Sequence, residues 1–347
     1  MRNNKYSFKK RHLILPLILL LSLSCEDILE EDPKGLLSSS NFWNGEVNAI
    51  GAVNSVYTRT MEMPPAVFGW NFWFESSGHD FGCNNNHVSG MANGTWSSGE
   101  VRVYNMWRAC YEPISLANFV LSNINSATNI DPDLQSRIEG EASFLRAMHY
   151  FNLVRIFGDV PLILKETEGD DNFLVSRTPI SEVYDAIITD LNVAINQLPL
   201  KSEYAADDAG RASKGAAQAL LAKVYLTLGD FEKTVNLTTA VMESNEYYLE
   251  PNFKDIFKAE NDNGPEWLFS YAVNGEANQS THQVAQFGFP NNLGKFGFRR
   301  AFGNIWLKDP LLALYDQEND TRFIDMVWNE YTDPGTGETV EFTKGTG

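Results

Sequence analysis

Through the middle of the chain, apolar residues recur at three- and four-residue steps, the spacing of one helix face, and capping residues mark where each run starts and stops. Ser40 or Asn41 stands where a cap is expected for a helix running to about Tyr57, and a second helical run covers about 102–125. From Asp133 to Phe157 the positions Ile138, Ala142, Leu145 and Met148 form a stripe that Gly158 and Pro161 terminate, which predicts one amphipathic helix. Thr178 offers an N-cap with Pro179 at the first helical position, and Val183, Ile187, Leu191 and Ile195 follow at four-residue spacing before Pro199. Ser213 caps a further helix in which Ala216, Ala219, Leu220, Ala222, Val224 and Tyr225 mix small and large residues, so that a neighbour can approach closely. Gly229 suits a left-handed C-terminal cap, and Asp230 can cap a last helix from Phe231 to about Ser244. The pattern predicts a mainly α fold.

The last pair, from Ala219 to Val235 with Gly229-Asp230 at its turn, resembles a tetratricopeptide repeat unit. Such units bury their faces only by stacking, so the earlier helices are expected to complete a tetratricopeptide-like α-solenoid of helix pairs. Two segments, about 60–105 and 260–310, lack helical periodicity and read as long irregular loops inserted into a single domain over 40–347, with little β structure.

The amino terminus has a different character. Arg2, Lys5, Lys9, Lys10 and Arg11 precede the apolar run Leu13–Leu21, which is too short to span a bilayer and reads as an export signal over residues 1–24. Small residues directly before Cys25 resemble a bacterial lipoprotein cleavage site, although Ser22 stands where that pattern usually has Leu. The resemblance implies that Cys25 is acylated and becomes the mature amino terminus. Residues 25–39, with Glu26, Asp27, Glu30, Glu31 and Asp32, are too charged to fold alone and read as an acidic tether. An acidic stretch directly after the cysteine resembles the surface-export tag of Bacteroidetes-type lipoproteins. Removing the first 24 residues takes five of the 27 basic residues and none of the 45 acidic ones, leaving a net charge of −23. That charge repels phosphate backbones, so nucleic acid is not an expected partner. Of the remaining cysteines, Cys83 and Cys110 can either form one disulfide or stand as two separate thiols.

Segments spread along the chain resemble the SusD/RagB-type outer-membrane nutrient-binding lipoproteins. They are Cys25-Glu-Asp-Ile-Leu-Glu, Trp107 to Asn118, Glu139 to Pro161, Arg211 to Ala222, Leu312-Ala-Leu-Tyr-Asp and Asp320-Thr-Arg. The third is the most specific, a helix that carries Leu145-Arg-Ala and ends in Phe157-Gly-Asp-Val-Pro. Asp320-Thr-Arg has Thr where the family favours Pro, and the family continues well beyond residue 347, so the resemblance implies a C-terminally truncated chain. It also implies a cell-surface, lipid-anchored protein of the outer membrane that binds an oligosaccharide or other nutrient and delivers it to a SusC-like TonB-dependent transporter. Arg146, Tyr150, Arg155 and Asp159 read as interhelical hydrogen bonds and turn closure, not as a site.

Ligand chemistry is expected in the loops. Phe68 to Trp107 holds Trp70, Phe72, Trp73, Phe74, Phe81 and Trp96 among Asn71, Asp80, Asn84, Asn85, Asn86 and Asn93. Phe287 to Trp306 holds Phe289, Phe296, Phe298 and Phe302 beside Asn291, Asn292, Arg299 and Arg300. A sugar ring stacks its C–H face on an aromatic plane and pairs its hydroxyls with Asn, Asp or Arg, so Trp73, Trp96, Asn93, Asp80, Phe298, Arg299 and Trp306 are the candidate ligand-binding residues. No cofactor is expected. His79, Cys83 and His87 lie four apart, but Gly82 and Asn84 to Asn86 between them read as loop, and no fourth ligand stands beside them. Asp316, Glu318 and Asp320 alternate as calcium-loop oxygens do, yet lack the glycine and distal glutamate of that motif. No motif places the carboxylate pair of a glycoside hydrolase, so the expected protein is not an enzyme. A peptide-binding relative with the same transporter role, or a surface glycoside hydrolase, are the alternatives.

Overall fold

The computed structural model describes residues 42–66, 81–83, 94–167, 174–270, 305–327 and 330–341. Two compact units divide the chain, Met1–Trp43 and Asn44–Gly347. Of the first, Phe42 and Trp43 are described, with ring centroids 5.2 Å apart in an edge-to-face arrangement. The signal, the tether and Cys25 lie outside the described residues.

The second unit is built on helices α1 (Glu46–Ala66), α2 (Val101–Asn123), α3 (Pro132–Phe157), α4 (Ile180–Gln197), α5 (Lys214–Leu228) and α6 (Phe231–Glu243). Each packs on the next in sequence, except that α3 also touches α1 and α5. This successive stacking is the α-solenoid arrangement that the repeat-like pair required. The predicted turn between α5 and α6 is present. Gly229 is left-handed at φ 79°, Ser213 Oγ accepts from Ala216 N, and Asp230 Oδ1 accepts from Lys233 N.

Several boundaries differ from the sequence reading. The first long helix starts at Glu46, not at Ser40 or Asn41, because Gly45 takes φ 111° and Asn44 bridges to Thr128. It also runs on past Tyr57, since Thr58 to Met63 contains no Gly or Pro to stop it, and ends at Ala66 directly after Pro64 and Pro65. At α4, Pro179 itself is the N-cap residue and Thr178 is drawn into a bridge with Val160. The missing cap is supplied from outside, by Asp159 Oδ1 accepting from Ile180 N at 2.9 Å. Strict four-residue spacing drifts by about 40° per step on a helix of 3.6 residues per turn. Val183, Ile187 and Leu191 are therefore buried, but the next inward position is Ala194 and Ile195 is only half-buried.

The largest departure is α3. It is not one-sided: Gly140 to Ala147 are eight consecutive buried residues, because α3 has neighbours on several sides. Burial all round forces its polar groups to find partners. Arg146 grips Asp190 of α4 with two hydrogen bonds of 2.8 and 2.7 Å, and its remaining amine donates to Asn118 Oδ1 of α2 and to Leu164 O. Tyr150 both donates to Ile163 O and accepts from Ile163 N, and Tyr111 donates to Pro161 O. The extended segment after α3 is thus clamped by the helices it connects. Arg155, in contrast, bonds within its own helix, to Phe151 O and Asn152 Oδ1.

A second buried cluster ties the segment before α5 to α1 and α3. Glu141 meets Arg211 at 2.8 Å and Arg137 at 3.4 Å, while Arg211 also reaches Asn54 and Asp208. Burial pushes the Glu141 carboxyl up, and the guanidiniums of Arg211 and Arg137 pull it back down. Cys110 is a free, buried thiol in α2, so the disulfide with Cys83 is not made, and burial pushes its pKa up, away from reactivity. Trp107, at the end of the first predicted loop, is already inside α2 and packs on Tyr111 and Phe157 at 4.9 and 5.1 Å.

Replacing Asp190 by Ala leaves the Arg146 charge buried and unpaired, and should lower unfolding stability by about 3–5 kcal/mol in urea titration. His149, fully buried with Nε2 2.8 Å from Thr60 Oγ1, has its pKa lowered to about 3 by burial. Above its usual value of 6.5 the ring is neutral in both folded and unfolded chains, and below it only the unfolded chain takes the proton. Stability should therefore fall as pH drops from 6.5 towards about 3, by up to about 1.4 kcal/mol per pH unit, and His149→Gln should flatten that slope in pH-dependent melting.

Candidate glycan-binding face

One short strand from each of the two segments in which the sequence concentrates aromatic rings pairs with the other. β1 (Phe81–Cys83) and β2 (Ile305–Leu307) pair antiparallel, with Phe81 opposite Leu307, Gly82 opposite Trp306 and Cys83 opposite Ile305. Trp306 is therefore held at a defined position on a strand, not in an irregular loop. This ladder joins the middle of the first segment to the end of the second. Neither the helical periodicity nor the loop composition indicated it, because three-residue strands are too short to show alternation.

Trp96 lies in the turn that leads into α2 and is 52% exposed. The turn is closed by Glu100 N donating to Ser97 O at 3.0 Å, and Glu100 then holds Arg102 at 2.6 Å. Just beyond, Val101 and Tyr104 are 59% and 62% exposed on the first turns of the helix. Their spacing, continued by exposed Arg108, is that of one helix face, opposite the buried Met106, Ala109, Cys110 and Pro113. Tyr104 was not among the candidates read from sequence. The same 3.6-residue count that fixed the buried face of α2 could have found it.

The remaining candidates, Trp73, Asp80, Asn93, Phe298 and Arg299, lie outside the described residues, as do His79 and His87. Among the described residues no group of acidic, His or Cys side chains is placed to hold a metal ion. Asp316 instead accepts from Glu318 N, Asn319 N and Asn319 Nδ2, and Asp320 caps helix α8 (Thr321–Met326) and pairs with Arg322 at 2.6 Å. These oxygens close a turn. The short helix α7 (Asp309–Leu312) and the hairpin β3 (Glu330–Thr332) with β4 (Thr339–Glu341) complete the described elements after β2.

SusD-like protein P2 of Formosa agariphila is 31% identical over 295 residues, which is 78% of this chain and 54% of that protein. A SusD superfamily protein of known structure from Parabacteroides distasonis, 25% identical, superposes with a TM-score of 0.72 over 88% of this chain and 68% of its own. A laminarin-binding SusD-like protein, 28% identical, superposes with a TM-score of 0.60 over 65% of this chain and 51% of its own. The chain spans about half to three-fifths of the length of the curated relatives it matches. With residues 39–226, more than half of its length, fitting the pattern described as "starch-binding associating with outer membrane", the chain belongs to the SusD-like family.

Proposed function

We propose that this protein captures a neutral oligosaccharide at the outer-membrane surface, where lipid on Cys25 holds it, and passes it unchanged to a SusC-like TonB-dependent transporter. The observation that carries the reading is the β1–β2 ladder, which pairs one strand from each of the two aromatic-rich segments. Rings from both can then contribute to one stacking surface, with Asn, Asp and Arg side chains at its edge for the hydroxyls. Exposed Trp96 and Tyr104 add aromatic surface at the start of α2. Membership of a family described as starch-binding, and likeness to a laminarin-binding relative, support a glycan as the ligand. The net charge of −23 after the signal favours a neutral glycan over an anionic one.

Catalysis is not part of this reading. Glycoside hydrolysis needs two carboxylates poised across the scissile bond. Among the described residues the deeply buried carboxylates, Glu141 and Asp190, are each engaged by a guanidinium and serve packing. Anchorage follows from the sequence at Cys25. One acyl chain holds a protein only marginally, at about 0.8 kcal/mol per buried methylene, so several chains on that cysteine give durable attachment. The acidic stretch to residue 39 leaves the binding face free to swing towards a partner.

On native affinity gels containing laminarin, xyloglucan or starch, wild-type protein should be retarded by at least one glycan without releasing reducing ends. Trp73→Ala with Trp96→Ala should weaken that retardation by about tenfold or more. Retardation by none of the three would remove the carbohydrate reading, and an unaffected double variant would move the site elsewhere. Replacing Cys25 by Ala should shift the protein from the membrane pellet to the soluble fraction of expressing cells while leaving glycan retardation intact.

A further inference from the structure

A groove of about 610 Å³ runs between the start of α3 and the end of α4, away from the β1–β2 ladder in the sequence. Its volume falls within the range of ordinary small-molecule sites, about 300–1,000 Å³. A smaller cavity of about 110 Å³ lies nearby, where Lys201 Nζ donates to Gly264 O and Trp267 O and Ser270 donates to Asn263, while the buried indole N–H of Trp267 has no partner among the described residues. The groove is larger and carries more polar side chains without a protein partner. Asp133, Ser136 and Asn196 line it with side chains that form no hydrogen bond within the described protein. Thr189 and Asn192, earlier on the same helix as Asn196, both bond back to their own backbone at 2.8 Å. Asp133 and Asn196 are exposed and Ser136 is half-buried, so these three polar side chains of different type meet water at one concavity, where the hydroxyls of a ligand can take the water's place.

The groove also has a fixed ring. Tyr204 lines it with its hydroxyl tied to Ala212 O at 2.6 Å, and the Arg137 guanidinium stands 5.7 Å from its ring centroid. Arg137 is itself neutralised by Asp208 at 2.7 Å and Glu141 at 3.4 Å. The charges left over at the groove are those of Asp133 and Glu203, both negative, so phosphate, sulfate or uronate groups are repelled there. A polyol is not. Its hydroxyls can donate to Asp133, accept from the amide of Asn196 and do either with Ser136.

We infer that this groove is a second carbohydrate subsite, taking a short stretch of a neutral glycan through hydroxyl hydrogen bonds to Asp133, Ser136 and Asn196 beside the ring of Tyr204. The inference rests on the carbohydrate-binding reading of the protein, and places a further contact on the helical body, separate from the aromatic loops. A glycan chain engaged at both places is retained by effective concentration as well as by either contact alone.

Isothermal titration of the full chain with laminarihexaose, a xyloglucan heptasaccharide and maltohexaose tests it. Ser136→Ala with Asn196→Ala should lower the affinity that remains in the Trp73→Ala, Trp96→Ala background by about tenfold, as expected for two lost hydrogen bonds. Unchanged residual affinity overturns the groove while leaving the loop face standing, and a wild-type chain that binds none of the three sugars overturns both. Should the substitutions disturb folding, a spin-labelled form of the tightest-binding sugar can be added to isotopically labelled wild-type protein. Broadening of the Asn196 side-chain amide resonance is then expected, and an unbroadened amide overturns the subsite.

Discussion

The guanidinium of Arg146 is the point on which the helical body turns. It sits in a helix buried all round and reaches α2, α4 and the extended segment at Leu164 at once, so three elements are held in register by one side chain. A buried ion pair contributes little net stability over a well-packed apolar alternative, because desolvation offsets most of the attraction. What it fixes is geometry. Asp190 must face α3, Asn118 must present its oxygen to Arg146 and its amide to Ile163 O, and the chain leaving α3 must pass beneath Tyr111 and Tyr150. Each requirement excludes other ways of stacking helices whose apolar surfaces alone would tolerate sliding.

The Glu141 cluster repeats that logic five residues earlier in the buried middle of α3. There the partners come from α1 and from the segment before α5, and Tyr57 accepts from Ala212 N at 3.0 Å. Together the two clusters tie the middle of the central helix to α1, α2, α4 and the segment before α5. The solenoid therefore presents a stiff support, and variation in ligand can be accommodated in the connecting segments without repacking the body.

Helices, their caps and the repeat-like pair were legible in the sequence because each depends on neighbours within a turn or two. Gly229, Ser213 and Asp230 do locally what their chemistry predicts. The misreadings came where a distant residue intervened. Asp159 caps α4 from across a bridge, so Thr178 loses the role that local pattern assigned it, and Asn44 pairs with Thr128, so the long helix begins only at Glu46. Met148 looked like part of a single stripe, yet α3 has no dry and wet side to compare. At the proposed binding face, the aromatic and amide residues stand in the sequence, but the β1–β2 pairing could not be read from it. A single stretch of chain carries no mark of a partner strand so far away.

That pairing has a consequence for how the protein becomes competent. Phe81 and Leu307 are separated by more than two hundred residues, and all six long helices except α1 lie between them. Three ladder positions cannot by themselves offset the closure entropy of so large a loop. The ladder is stable only once the intervening helices have already stacked and brought its ends near each other. The two strands are thus joined last, and a chain in which they are paired has, by that fact, finished stacking the helices between them.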